Sequence, residues 1–392
     1  MRLREIVVKN YRAIDDLALR FTDRLGRVRP MTVIAGPNGS GKTSLLFGVI
    51  QALRGAMGYI TDDVPDPSDL EIRRARGVAD LTPEPVRASV EFDVEFDEVE
   101  REAIPQVFDD TRGLRDESER LPDLPTGCVR GKWAYPPDTW PDGRPKPTWF
   151  LSWTDPRDAL PWFRGFRYAI RGWNAHRLRS RALLERVGGL FLFPQDRGLK
   201  TRVLGEETEA SLGWEDSSSG ESTAGEPRRD RRTSPSVHGV LKYLSEYALA
   251  RKIEPDDEAE LWESRVKQAF GRVCHPKEYL GFMYPRDSPV GAPYFKDGDS
   301  VYPLQMASSG EQVIIEYVTR MSYPSPMNHS LILIDEPELH LHPGWIRQVY
   351  RALPQIGDGN QYVMTTHSQE LRRMAAEDGA LVTLGALGDE VE

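Results

Sequence analysis

The stretch Gly36-Pro37-Asn38-Gly39-Ser40-Gly41-Lys42-Thr43 decides the fold. It fits G-x-x-x-x-G-K-[ST], and its flanks give it structural meaning. Before it, Met31-Thr32-Val33-Ile34-Ala35 is short, apolar and β-prone, and predicts a buried strand. After it, Ser44-Leu45-Leu46-Phe47-Gly48-Val49-Ile50 opens a helix. The glycines let successive N–H groups converge on one anion, and the helix N-terminus adds the positive end of its dipole. The stretch therefore predicts a phosphate-binding loop built from Gly36, Asn38, Gly39, Ser40, Gly41, Lys42, Thr43 and Ser44. In such a loop Lys42 reaches the β- and γ-phosphates and the Thr43 hydroxyl ligates Mg2+.

Working outward, the 392 residues suffice for one large or two modest domains. A net charge of -10 argues against indiscriminate coating of nucleic acid, although it leaves room for a local basic face. Two cysteines, Cys128 and Cys274, indicate neither a disulfide framework nor a zinc cluster, which fits a reducing cytoplasm. Met1 to Val8 already alternates like a strand, so no signal peptide is expected. No apolar run approaches the ~20 residues of a membrane span, and no membrane partner is expected.

Strands are expected at Ile6–Ile14, Leu17–Phe21 and, by strict alternation, Val86–Phe96. Residues 128–183 hold Trp133, Trp140, Trp149, Trp153, Trp162 and Trp173, interleaved with prolines and glycines, which predicts short strands and turns rather than a long helix. Arg164, Arg167, Arg171, Arg177, Arg179 and Arg181 follow closely. Such a mixture either stacks on nucleic acid or forms a small core with solvated arginines, and composition leaves both open. Leu190–Phe193 predicts another buried strand. The low-complexity stretch 205–236 cannot bury enough apolar surface to order itself and predicts a linker. Helical periodicity then runs from His238 to about Val273, with hairpin strands over 279–303.

Leu331-Ile332-Leu333-Ile334-Asp335-Glu336 is an apolar strand delivering two acids at its carboxyl end, where ligands sit in open α/β sheets. Beside a phosphate loop, Asp335 is placed to hold Mg2+ and Glu336 to polarise an attacking water. In Ala307-Ser308-Ser309-Gly310-Glu311-Gln312, either Ser308 or Ser309 caps an apolar helix, and Glu311 suits its first turn. That helix start is a second anion site. Tyr362-Val363-Met364-Thr365-Thr366-His367-Ser368 is a strand ending in a histidine that can hydrogen-bond a γ-phosphate or the attacking water.

In that order, GPNGSGKT, SSGEQ, LILIDEPELHLHP and TTHS resemble the ATP-binding-cassette (ABC) ATPases of the RecF/SMC/OLD branch. Glu336-Pro337-Glu338-Leu339-His340-Leu341-His342-Pro343 looks most like stand-alone and OLD-type members. The resemblance implies an α/β ABC ATPase head: a P-loop, RecA-like core with an antiparallel β lobe and a helical lobe carrying the signature. It implies ATP and Mg2+ as ligands, with Glu336, His367 and Lys42 catalytic. Ser309 and Gly310 match the signature that contacts ATP on a second subunit, so a homodimer or higher homo-oligomer sandwiching ATP is expected. Leu341, His342 and Pro343 match the D-loop region, Arg12 a strand-end arginine that contacts nucleotide, and Gln195 the Q-loop glutamine that joins Thr43 and Asp335 at the metal.

The implied division is an N-terminal β lobe with the P-loop (1–127), a Trp/Arg-rich insertion (128–183), a core strand with the Q-loop (184–204) and a linker (205–236). A helical lobe with signature, Walker B and H-loop follows (237–392). Long coiled coils are missing, and too few residues follow His367 for a Toprim nuclease domain, so neither tethering nor intrinsic cleavage carries over. What the resemblance implies is an ATP-hydrolysing switch that gates DNA or RNA binding or a separate nuclease or effector, Septu-like, in antiphage defence. RecF-like DNA repair, a transporter's nucleotide-binding subunit and a scaffold without turnover are the alternatives.

Overall fold

The computed structural model describes residues 1–57, 87–115, 119–124, 127–135, 149–151, 160–174, 181–193, 195, 257–284, 292–322, 327–339 and 341–385. The expected linker, the first part of the helical stretch after His238, and His340 lie outside them. The chain divides into two compact units. The first comprises Met1–Leu192, His329–Glu336 and Gly359–Glu392, and the second Phe193–Asn328 and Pro337–Asp358.

The first unit holds two five-stranded sheets. One is antiparallel, built from β1 (Arg2–Tyr11), β2 (Ile14–Arg20), β4 (Ala88–Glu95), β5 (Cys128–Tyr135) and β6 (Trp149–Leu151), in the order β2-β1-β4-β5-β6. Alternation in β1 and β4 sends Leu3, Ile6, Val8, Val90, Phe92 and Val94 inward, as one half-buried sheet face requires. The first helix, α1 (Lys42–Ala56), packs beneath it, and α2 (Glu98–Asp110) follows β4. A Cβ at Gly48 would lie 3.6 Å from Val8 Cγ2, an ordinary van der Waals contact, so this face of the helix lies directly against β1.

Two expectations change here. Glu95 pairs with Cys128 and Ala88 with Tyr135, so the proposed boundary between 127 and 128 falls inside a continuous sheet. β5 and β6 thereby continue the sheet of the N-terminal lobe. Its next part is helical, with α3 (Leu160–Phe163) and α4 (Gly165–Asn174). Pro161 and Gly165 sit in first turns, where missing N–H groups and a flexible backbone are tolerated, so they do not break these helices. Trp133 is fully buried against Tyr11, ring centroids 5.8 Å apart, and Trp162 packs on Phe96. Arg164 pairs with Glu119 at 2.5 Å. These two tryptophans belong to the core of the lobe and not to a stacking platform, and this arginine is half-buried in an ion pair.

The other sheet has the order β13-β3-β12-β11-β7, from β3 (Met31–Ala35), β7 (Leu190–Phe193), β11 (Leu331–Ile334), β12 (Gln361–Thr366) and β13 (Leu381–Thr383). β12 runs parallel to both β3 and β11, and β13 parallel to β3. Every residue of β3, β7, β11 and β12 is buried, which explains runs that are continuous rather than alternating. Thr366 lies opposite Ala35, and Ile334 opposite Met364. Three parallel strands in this register end at one rim, which brings the loop at 36–41, Asp335 and His367 together.

The second unit contains α5 (Asp257–Cys274), the antiparallel sheet β10-β9-β8, α6 (Ser309–Ser322) and α7 (Pro343–Ala352). Its strands are β8 (Glu278–Met283), β9 (Ala292–Asp297) and β10 (Ser300–Pro303), with Phe295 buried between Phe270 and Tyr279. Among the described residues no helix is long and apolar enough to cross a membrane.

Candidate functional site

The loop between β3 and α1 depends on its glycines individually. Gly39 and Gly41 adopt φ +80° and +90°, conformations that L side chains rarely enter. A Cβ at Gly41 would also lie 2.8 Å from Ile14 Cγ1, and one at Gly36 2.6 Å from Ser40 Oγ and 2.9 Å from the Leu384 carbonyl. Lys42 is only 5% exposed and curls back to donate to the Gly36 and Pro37 carbonyls, each at 2.9 Å. The Ser40 hydroxyl is buried with no hydrogen-bond partner in the loop. A buried, unmatched hydroxyl and glycines that either take positive φ or leave no room for a Cβ fit a cradle in which a phosphate supplies the missing acceptor.

The turn before β2 leans on the same helix. Asn10 and Arg12 have positive φ, 49° and 52°. Ala13 N donates to Ser44 Oγ at 3.4 Å, and the Arg12 guanidinium lies 4.3 Å from the Phe47 ring centroid. Arg12 is thereby held along the first turns of α1.

On the neighbouring strands the acids are fixed tightly. Thr43 Oγ1 lies 3.2 and 3.1 Å from the two Asp335 carboxylate oxygens, so the loop and β11 are joined through the pair expected at Mg2+. Asp335 is 3% exposed, yet it retains an arc of hard oxygen donors with Thr43, as Mg2+ coordination requires. Glu336 takes φ 49°, uncommon for a residue with a side chain. Its carboxylate lies 3.2 Å from His367 Nε2, and His367 is 37% exposed at the rim of the sheet. Thr365, from β12, touches both acids: its hydroxyl donates to Asp335 and accepts from the Glu336 N–H at 3.1 Å.

The structure thus brings Lys42, Thr43, Asp335, Glu336 and His367 into one cluster, with Arg12 alongside α1. Ser309, Gly310 and Gln195 belong to the second unit. There Ser308, and not Ser309, is the cap. Its Oγ accepts from Glu311 N at 3.3 Å while Ser308 N donates to Glu311 Oε2 at 2.6 Å, a reciprocal capping box. Ser309 and Gly310 therefore open α6, with first-turn N–H groups that have no partner inside the helix. Lys277 Nζ and the Tyr302 hydroxyl each donate to Glu311 Oε1 at 2.6 Å, and Lys277 also pairs with Asp297 at 3.0 Å. Burial alone would push the Glu311 carboxyl up, but the hydrogen bonds from Lys277, Tyr302 and Ser308 outweigh it and hold the group down at about 2. Gln195 stands exposed just after β7.

Sequence reasoning missed Thr365 and Lys277. The signal for Thr365 was present: Thr365 and Thr366 are two hydroxyls, both fully buried, closing an otherwise largely apolar strand. Lys277 had no signal, because its partners come from β9, β10 and α6.

A P-loop before a helix, a buried strand ending in Asp-Glu and a third strand ending in histidine, all in one parallel sheet, define a P-loop ATPase with the ABC-type head fold. The chain belongs to the family described as “AAA domain, putative AbiEii toxin, Type IV TA system”, which matches residues 31–373. Among solved structures it resembles an Smc head bound to the C-winged helix domain of ScpA, at 13% identity and TM-score 0.52, covering 100% of this chain and 97% of that one. The Pyrococcus furiosus Smc head with an extended coiled coil, bound to the C-terminal domain of ScpA, gives 13% identity and TM-score 0.48 over 100% and 96% of the two chains. The Thermotoga maritima SMC head gives 12% and 0.42 over 98% and 94%. At such identities the likeness is one of fold.

Proposed function

We propose that this ATPase hydrolyses ATP as a switch: two copies close around ATP·Mg2+, and the closed state gates a nucleic-acid contact or a separate nuclease, in antiphage defence. The observation that carries it is the cluster at the rim of the parallel sheet, where Thr43 meets Asp335 and Glu336 meets His367. Lys42 and the loop N–H groups bind the β- and γ-phosphates, and Ser40 offers them its unmatched hydroxyl. Thr43 and Asp335 are the residues that would hold Mg2+, which would neutralise charge building on the phosphates. Glu336 takes the proton of the attacking water, and His367 fixes the orientation of its carboxylate. Arg12 is placed for the nucleotide from the side of α1.

Closure by two copies supplies what one P-loop cannot: the first-turn N–H groups at Ser309 and Gly310 of a partner add charge stabilisation at the γ-phosphate. Loss of phosphate removes that contact and loosens the pair. Gln195 is proposed as a further ligand on the metal side. The family's description, a putative AbiEii toxin of a Type IV TA system, is in keeping with a defence role. The Smc head of the comparison carries a protein partner, ScpA, a precedent for an effector bound to such a head.

Size-exclusion chromatography with light scattering tests the switch. Glu336→Gln is expected to double its mass on addition of ATP and Mg2+, and Lys42→Ala to remain unresponsive. A Glu336→Gln variant with the same mass with and without ATP would overturn closure by two copies.

A further inference from the structure

One hydroxyl does two jobs at the rim of the parallel sheet. Thr365 is fully buried in β12, and its register places it beside Ile34 of β3, one step beyond the Met364–Ile334 pair. Its Oγ1 is the donor in a hydrogen bond to Asp335 Oδ1 and the acceptor for the Glu336 backbone N–H at 3.1 Å. A threonine hydroxyl has one hydrogen and two lone pairs, so both bonds form together without conflict. The second of them falls at a strained point, since Glu336 stands at φ 49°. Such a conformation persists only where its surroundings over-determine it.

We infer that Thr365 is the positioning residue that sets both acids at once. Its donated proton orients the Asp335 carboxylate toward Thr43, and its lone pair holds the Glu336 backbone in the left-handed conformation. From that backbone the Glu336 side chain meets His367 Nε2 at 3.2 Å. Metal-side acid and base-side acid are thereby locked in register by one atom on a neighbouring strand. The consequence for turnover rests on the ATPase mechanism proposed above; the consequence for backbone geometry does not.

Thr365→Val keeps the shape and removes the hydroxyl, Thr365→Ser keeps the hydroxyl, and Thr32→Val is the matched control. Thr32 is equally buried in the adjacent strand β3, and its hydroxyl has no hydrogen-bond partner. Nucleotide-free crystal structures of wild type and Thr365→Val are compared first. Glu336 is expected to leave positive φ and to part from His367 in the valine variant; an unchanged Glu336 overturns the inference. Steady-state hydrolysis is measured second. Thr365→Val is expected to lower kcat about tenfold to a hundredfold, the usual cost of losing a group behind a ligand or acid, with KM for ATP nearly constant. Thr365→Ser is expected to restore most of kcat, and Thr32→Val to behave as wild type. Equal losses in Thr365→Val and Thr32→Val would reduce Thr365 to a packing residue. A wild type with no turnover would instead defeat the hydrolytic function, while the crystal comparison still decides the role of Thr365. Should Thr365→Val not fold, a serine variant with displaced Glu336 and lowered kcat would overturn the inference by itself.

Discussion

Gly39 and Gly41 stand two residues apart and are glycine for different reasons. Both need positive φ, but a Cβ at Gly39 meets nothing within 4 Å, whereas one at Gly41 runs into Ile14. Gly39→Ala therefore carries only backbone strain, about 1–3 kcal/mol. Gly41→Ala adds a steric clash with a buried side chain of the antiparallel sheet. The expected order of denaturant midpoints is wild type, then Gly39→Ala, then Gly41→Ala, with nucleotide affinity weakest in the last. Equal midpoints for the two variants would show that Ile14 yields freely. Motif reading marks both glycines alike, since it knows the loop and not its neighbour. That neighbour comes from the turn at residues 10–14, whose positive φ values no local pattern announced.

At the scale of elements, α6 shows how a carboxylate can stand in the first turn of a proposed anion site without spoiling it. Glu311 spends its charge on Lys277, Tyr302 and the Ser308 N–H, so the N–H groups of Ser309 and Gly310 remain for a phosphate. Lys277→Met removes the only cation in that set. It is expected to weaken ATP-dependent pairing of the Glu336→Gln background at least severalfold in light scattering while leaving nucleotide binding to the P-loop unchanged; equal pairing would make the network purely structural. The sign of the pH effect follows from the depressed carboxyl. A group held at about 2, against an ordinary value of 4.5, adds stability that is complete above 4.5 and is lost as pH falls towards 2. The stability gap between wild type and Glu311→Gln, read from urea midpoints, should therefore shrink across that interval and stay flat above it. The strand–loop–helix unit and the acidic strand were legible in sequence because each is contiguous and strongly patterned. The pairing of β5 with β4 was not, since a strand's partner is set by non-local contacts that alternation cannot name. Tryptophans among prolines suggested short strands and turns; Trp133 does lie in strand β5, whereas Trp162 lies in the short helix α3, and both are buried.

For the molecule as a whole, charge and fold together constrain what the switch can act on. The described face of the antiparallel sheet pairs its own ions across strands: Glu5 with Arg20, Lys9 with Asp16, Glu91 with Lys132 and Asp93 with Arg130. Each pair contributes little stability, but together they leave that face without a basic field. Together with a chain charge of -10, this predicts that any grip on DNA or RNA is confined to a local patch and depends on nucleotide. Duplex DNA is expected to raise the ATPase rate with a steep inverse dependence on salt; no stimulation at any ionic strength would leave a protein effector as the output. The ABC-type fold was legible from four ordered motifs.

The middle position of β12 carries one more implication. With β3 on one side and β11 on the other, its residue count acts as a gauge that spaces histidine, threonine and acids along the edge. Deleting a single residue between Gln361 and Thr366 would draw His367 inward by about 3.3 Å and swing the Thr365 hydroxyl to the opposite face. Indels in that short segment should accordingly abolish the chemistry even where the sheet still forms.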